Sequence, residues 1–566
     1  MPTDFERKES SNGITLKLYR GEGMGLLAFD LDPANATDDF VGFTVEVKYP
    51  GSNFWGSLHN RLAFDYPQVE NPPRSFSSRE APFQKFRWIH FPGTTPNGEF
   101  RYRVTAKYMQ ADGSLISGSS VENAISLAPE TIDGFVNVGF TRGFASSQAY
   151  ADSFGNEADI LPHPGAPAAD SLTHDMAQFE KNYQWLGFEA RKLILDTLQE
   201  VQDDPTLTLD MLAYELKEPD IYNRLKAIGP RLRAIVDDHG DQGDDDSAES
   251  IAADGLVVTG AAVHRLHLKR QQHNKVLLVR RNGTPVKVLT GSTNFALRGL
   301  YIQSNNALLF TDANIAALYG KYFDALWTKP KKFRENELSK QWWQERDLPD
   351  SRFSFCFAPH TDNKLSLDPV AHAIENAESS VLYAVVFLNQ LTGGVREALD
   401  ELVQRSLFSY GVAQRTAGLS VMKPDGSPGV LPFAYLAEKA PAPFKAEWSG
   451  NTTAQSNMVH HKFVVTDFNG ARPTVFTGSS NLAAGGEEEN GDNLIRIEDR
   501  KVAIAYAIEA LRMFDHFHFR SNIKKGDEEN VVIRLAKPPQ DGGKPWFAPY
   551  YRIGHVKERD RKLFAE

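Results

Sequence analysis

The residues with the greatest capacity for chemistry lie in two short stretches. His273-Asn274-Lys275 is followed by Gly291-Ser292-Thr293-Asn294, and His460-His461-Lys462 by Gly478-Ser479-Ser480-Asn481. The second set repeats the first at a constant step of 187 residues (460 − 273), and the same step carries Asn305 to Asp492. In a strand, residues i and i+2 point to one face, so His273 projects with Lys275 and His460 with Lys462, while Asn274 and His461 point away. Two imidazoles and two ammonium groups converging in this way make a phosphate site. A neutral imidazole attacks phosphorus and a charged one donates a proton, and a pKa near ~6.5 makes both forms accessible at neutral pH. One histidine would attack while the other protonates the leaving oxygen and then activates water. The lysines and amides would stabilise charge growing on the non-bridging oxygens, a contribution of ~3 to 4 kcal/mol per well-placed donor in other enzymes. The lysines supply the positive charge, so the site calls for no metal and no cofactor is expected.

Rigid elements must hold these groups, and the chain offers two similar series of them. After residue 130, fully apolar strand segments alternate with helical ones, which implies an α/β layered core. Phe135 to Phe140 is a strand candidate, Phe179 to Val201 has helical periodicity, and Leu207 to Tyr214 is a strand followed by a helix over Pro219 to Ala227 and a strand over Leu232 to Val236. Phe353 to Pro359 answers Phe135 to Thr141, and Ser380 to Leu388 answers Leu207 to Leu216. A duplicated chain is expected, with halves at 130–348 and 349–535 meeting about a pseudo-two-fold axis that brings the two His-x-Lys strands together. Residues 1–129 differ in texture. Short alternating segments such as Phe43 to Lys48 and Phe100 to Ala106, separated by Gly, Pro and Asn, predict an all-β sandwich of immunoglobulin or fibronectin type. Residues 536–566 read as a C-terminal tail whose basic stretch, Lys557 to Lys562, is solvated and whose apolar end docks.

The paired pattern His-x-Lys-x4-Asp followed by Gly-Ser-x-Asn, twice in one chain, resembles the phospholipase D superfamily over roughly residues 130 to 530. The resemblance implies a double α/β/α fold forming one catalytic core, metal-independent phosphodiester cleavage and a covalent phosphohistidine. By position it makes His273 and His460 the catalytic pair. Lys275, Lys462, Asn294 and Asn481, with Ser292 and Ser479, become the phosphate ligands, and Asp492 the carboxylate that orients a histidine. Two positions depart from the pattern. Arg280 stands where Asp467 stands in the second copy, on the strand face away from the histidine, so a structural contact is expected to change there. Asn305 stands where the second copy has Asp492, and an amide cannot stabilise an imidazolium as a carboxylate does, so the two histidines should be unequal. Asn305 and Asp467 are read as supporting residues, His273 as the nucleophile and His461 as a bystander.

The 566 residues, 41% hydrophobic and 24% charged, exclude a disordered chain, a collagen and a membrane bundle. Sixty-two basic against 73 acidic side chains give a net charge of −11, which opposes loose binding to a polyanion. One cysteine, Cys356, precludes an intrachain disulfide and reads as a small buried hydrophobe. The N-terminal residues lack an apolar run after their charges and no stretch approaches ~18 apolar residues. A cytoplasmic protein is expected, or one exported without a signal peptide. Substrate classes divide three ways. A phospholipid is favoured, because an acidic surface does not repel neutral head groups, and the long loop Thr141 to Gln178 would serve as a lid or membrane-contacting flap. A nuclease or other nucleic-acid phosphodiesterase is the alternative. The third reading is a catalytically inactive phosphate-binding protein whose β-sandwich binds a protein partner.

Overall fold

The computed structural model describes residues 5–67, 73, 75–93, 95–128, 131–155, 157–163, 165–348, 350–388, 391, 393–415, 418–422, 428–431, 459–528, 532–540 and 542–566. They divide into two compact units, one of residues 1–129 with 518–566 and one of residues 130–517.

The first unit is all-β at its centre. One antiparallel sheet runs Glu6–Ser11, Ile14–Arg20, Gly25–Leu31, Arg87–His90, and another Leu115–Ser126, Glu99–Met109, Phe40–Lys48, Gly56–Ser57, with a small two-stranded sheet beside them. Alternation along these strands turns Leu16, Leu18, Leu27 and Phe29 of one sheet and Phe43, Val45, Tyr102 and Val104 of the other into a shared apolar core. The expectation of an immunoglobulin- or fibronectin-type sandwich holds in its coarser part, an antiparallel all-β module built of several small sheets. The boundary at 536 needs correction. The C-terminal segment is not a separate tail, because Phe547 and Tyr550 belong to that same core. Trp546 Nε1 donates to the Phe40 carbonyl at 2.9 Å, Tyr551 to the Leu31 carbonyl at 2.7 Å, and Tyr19 to the Phe564 carbonyl at 2.8 Å.

The second unit contains the duplication. Its first half is a seven-stranded sheet in the order Val136–Phe140, Asn306–Phe310, Thr284–Gly291, Lys275–Arg281, Leu207–Ala213, Leu232–Val236, Ala262–Arg265. The second half is a nine-stranded sheet in which Ser351–Ala358, Asp492–Glu498, Thr474–Gly478, Lys462–Thr466, Ser380–Val385 and Phe408–Arg415 follow one another in the same order. Six strands therefore repeat in topology as well as in sequence. The central strands are apolar throughout, as Val276 to Val279 and Phe463 to Val465 show, and both of their faces are buried. Helix Ala313–Thr328 starts at Asp312, whose carboxylate caps the N–H groups of Asn314 and Ile315. Its buried residues Ile315, Leu318, Tyr319, Tyr322, Phe323 and Leu326 keep helical spacing, and this stripe carries Tyr319 and Tyr322 to the strand ends.

The expected flap over Thr141 to Gln178 is otherwise built. It includes the helix Ser147–Phe154 and short 3₁₀ turns, and Phe144 and Tyr150 are fully buried. Phe144 and Tyr150 therefore serve the core, while Phe154 is half-buried. Among the described residues, no helix is long and apolar enough to cross a membrane.

Candidate active site

The chemistry-bearing residues sit where the two sheets of the second unit meet, just before the strands that begin at Lys275 and Lys462. The backbone N–H of His273 donates to the Gly491 carbonyl at 2.8 Å, and that of His460 to the Ser304 carbonyl at 3.0 Å. Each motif is thus stitched to the opposite half at equivalent places. Gly291 and Gly478, which open the Gly-Ser-x-Asn turns, have φ of 143° and 138°. A Cβ on Gly291 would sit 2.5 Å from the Asn306 carbonyl oxygen, and Gly478 meets the Asn493 carbonyl in the same way, so only glycine fits.

The side chains cross over as well. Nδ1 of His273 donates to Asp492 Oδ1 at 2.8 Å, and Nδ1 of His460 to Asn305 Oδ1 at 2.8 Å. A carboxylate only accepts, and the Asn305 amide is oriented by its Nδ2 donating to the Gly299 carbonyl at 2.9 Å, so both imidazoles carry their proton on Nδ1 and keep the Nε2 lone pair. Ser292 Oγ donates to Asn305 at 2.9 Å and accepts the Asn306 N–H at 3.0 Å. Ser479 Oγ donates to Asp492 at 2.7 Å and accepts the Asn493 N–H at 3.0 Å. The two serines were expected to bind phosphate. Each has one proton and gives it to the group that orients a histidine, so their position is behind the imidazoles.

Lys462 Nζ lies 3.2 Å from Nε2 of His460 and donates to that residue's carbonyl at 2.9 Å; Lys275 Nζ donates to the carbonyl of His273. Histidines and lysines are at most 7% exposed. Burial, followed by the Lys275 charge and opposed by Asp492, pushes His273 down to about 4. Burial, then the charges of both lysines and His273, holds His460 well below the ordinary imidazole value. Burial brings Lys275 down to about 7 against the support of Asp492, Glu215 and Asp237, and takes Lys462 far down, with the Lys275 charge adding to the effect. Four basic groups thus share a buried space in which Asp492 is the carboxylate joined to a histidine, and an anion arriving among them would raise them all. Buried Oδ1 of Asn294, Oδ1 of Asn481 and Oδ2 of Asp492 have no hydrogen-bond partner among the described residues.

A family model described as "Cardiolipin synthase, PLD-like domain" matches residues 203–327 and 426–514, one segment for each His-x-Lys motif. Both of these segments are PLD-like domain sequence. Three solved structures give the chain's likenesses. A phospholipase D family member, Nuc from Salmonella typhimurium, is 24% identical over 25% of this chain and 88% of its own, with a TM-score of 0.21. Phosphatidylserine synthase of Haemophilus influenzae is 10% identical over 60% of this chain and 94% of its own, with a TM-score of 0.38. Yeast tyrosyl-DNA phosphodiesterase 1 is 10% identical over 54% and 86%, with a TM-score of 0.29. No curated protein matches the sequence.

Within this core the motif's seventh position after the histidine is structural. Asp467 Oδ1 accepts the backbone N–H groups of Glu378, Ser379 and Ser380 at 3.0, 2.7 and 3.1 Å and so ties down the turn before the Ser380–Val385 strand. Arg280, its counterpart, pairs with Asp210 at 2.6 Å and Asp324 at 3.2 Å, and Arg233 joins the same two carboxylates. Restoring the motif by Arg280→Asp is therefore expected to destabilise the protein by about 3 kcal/mol, since a third carboxylate would face buried Asp210. Urea unfolding of the variant against the wild type checks this.

His461 is more than a bystander. It is fully buried, donates from Nε2 to Glu509 at 3.0 Å and receives the Asn306 amide on Nδ1 at 3.3 Å, while Arg512 braces Glu509. Its equivalent Asn274 accepts from the Asn493 amide at 2.9 Å and donates to Tyr322 at 2.8 Å. These contacts form a second cross-half layer directly behind the first. Tyr214 and Glu215 also belong to the site. The Tyr214 ring meets His273 edge-on at 4.9 Å and lies 4.8 Å from Lys275 Nζ. Glu215 accepts from Asn294 Nδ2 and pairs with Lys217 at 2.8 Å. The signal for them was the buried strand ending at Ala213, which pairs with Lys275 and so delivers the next two residues beside His273.

Proposed function

We propose that this chain is a metal-independent phosphodiesterase of phospholipase D type, acting on a phospholipid through a phosphohistidine at His273. The observation that carries this reading is the crossed pairing of the two imidazoles, which leaves an Nε2 lone pair on each beside two buried lysines. His273 Nε2 attacks phosphorus and the bond to the leaving oxygen breaks. His460, protonated on Nε2 once an anion is bound, gives that proton to the leaving alcohol. It then takes a proton from water, hydroxide displaces His273 from phosphorus, and a phosphomonoester leaves. Asp492 favours His273 over His460 as nucleophile, because the N-phosphorylated ring is cationic and its Nδ1–H faces a full negative charge. An alcohol in place of water would give transfer. Lys275 and Lys462, with the Asn294 and Asn481 amides, hold the non-bridging oxygens. The net charge of −11 supports a lipid over a nucleic-acid polymer.

The decisive comparison is head-group release from phospholipid vesicles against cleavage of single-stranded and duplex DNA, both with EDTA present. DNA cleavage without head-group release would overturn the lipid assignment, and activity abolished by EDTA would overturn metal independence.

The pH profile carries a further expectation. Neutral His273 persists down to about pH 4 and charged Lys275 up to about pH 7 in the free protein. kcat/KM, which reports the free enzyme, should therefore fall below about 4, where His273 takes up a proton, and fall on the alkaline side as His460, held well below the ordinary imidazole value, and then Lys275 lose theirs. Bound anion raises Lys275 and His460, so the alkaline limb of kcat should stand at higher pH than that of kcat/KM.

A further inference from the structure

The C-terminal segment does more than complete the β core. Phe547 and Tyr550 enter that core on one side of a turn, and Phe564 is buried on the other. Between the helices Ala548–Tyr551 and Val556–Ala565 the chain forms a short turn, Arg552-Ile553-Gly554-His555. Both of its ends are fixed. The His555 N–H donates to the Arg552 carbonyl at 3.0 Å, and Gly554, at a φ of 78°, donates its N–H to Glu558 at 3.3 Å. His555 Nδ1 accepts the Lys557 N–H at 3.1 Å and so caps the second helix, which Arg561 ties back to the Tyr550 carbonyl at 3.0 Å and to Asp30. At the tip stands Ile553, 92% exposed, the most exposed large apolar side chain among the described residues.

Cations surround this tip. Burial, followed by the charges of Arg552, Lys557 and Arg559, lowers the His555 pKa, and burial with the Lys85 charge lowers that of Lys557 against the support of Asp560. The two nearby acids are already committed, Glu558 to Lys562 at 2.6 Å and Asp560 to Arg87 at 3.1 Å. Arg552, Lys557, Arg559 and Lys85 therefore make a positive knob on a chain whose net charge is −11. A single apolar side chain projecting from a turn calls for a medium that closes around it without a complementary pocket, and the cations call for anions at the same level. An anionic bilayer supplies both, acyl chains below its surface and phosphates beside them. We propose that the turn from Arg552 to Lys557 docks the protein on anionic phospholipid membranes, with Ile553 entering the interface and the four cations meeting lipid phosphates. The net negative charge is screened beyond about 10 Å, so the local cations govern contact. The turn belongs to the other compact unit from the two histidines, and its docking does not depend on the reaction assigned to them.

Flotation of the full chain with vesicles tests this, using His273→Asn as the parent so that lipid is not consumed. The vesicles are phosphatidylcholine alone, or phosphatidylcholine and phosphatidylglycerol in equal parts. Binding is expected to the mixed vesicles only, and it should weaken as salt is added. Ile553→Ser should reduce the affinity at least about fivefold, the loss of one inserted apolar side chain. Arg552→Gln combined with Lys557→Gln should reduce it about 25-fold, at about fivefold per cation. Both variants should melt at the temperature of the parent, because Ile553 and Arg552 are exposed and hold no part of the core. A parent that does not float with the mixed vesicles would overturn the proposal, as would equal binding to phosphatidylcholine alone or variants that bind as the parent does. Capture of duplex DNA in preference to mixed vesicles, lost in the same variants, would overturn the lipid assignment and make the turn a nucleic-acid contact.

Discussion

His460→Asn should release one equivalent of nitrophenol from bis(4-nitrophenyl) phosphate and then stall, whereas His273→Asn should release none. Nitrophenolate departs without a proton, so His273 alone completes the first displacement in the His460 variant. The second displacement needs a base for water, and without His460 the phosphoryl group stays on His273. Steady-state turnover should drop about 10³-fold or more in His460→Asn, within the range of general acid-base contributions, and further in His273→Asn, which loses the covalent route. Rapid-quench kinetics with mass mapping of the modified peptide read both outcomes. A burst in His273→Asn with phosphate on His460 would reverse the assignment of nucleophile.

Asp492→Asn carries the next largest expected effect. The substitution is conservative in shape, because the first half already shows an amide, Asn305, accepting from a serine and a histidine in the same frame. What disappears is the charge facing His273 when its Nε2 is bonded to phosphorus. We expect kcat to fall about 10²- to 10⁴-fold, the scale set by a histidine's carboxylate partner in hydrolases. The sign of the accompanying pH shift follows from the direction in which Asp492 acts. Asp492 raises the His273 pKa against burial, so removing it lowers that pKa further and moves the acid limb of kcat/KM to lower pH. A stability loss alone would leave the limb in place, which makes the profile the informative measurement.

Much of this was legible in the linear chain. The 187-residue step announced the duplication, and the repeated strand order bears it out. Alternation in residues 13 to 127 announced an antiparallel β module, since a two-residue period survives in sequence wherever one strand face is buried. Arg280 was legible as a structural departure because it falls on the strand face away from the histidine. Its partners Asp210 and Asp324 were not, as they come from a neighbouring strand and a helix. The affiliation of residues 536–566 was equally hidden. Phe547 and Tyr550 complete a core whose other members lie more than four hundred residues earlier, and no local pattern encodes that distance.

The sequence by itself determined the inventory: two histidines, two lysines and their amides, in duplicate and in one register, are the groups from which phosphoryl transfer is proposed. Tertiary structure decided who serves whom. Asp492 lies in the same half as His460 yet orients His273, Asn305 orients His460 from the opposite half, and Ser292 and Ser479 stand behind the imidazoles. A linear motif lists side chains along one strand and is silent on the strand that faces it. Here the hydrogen bonds that set tautomer and charge all run across the junction of the two halves, so the division of labour between equivalent residues exists only once the halves have met.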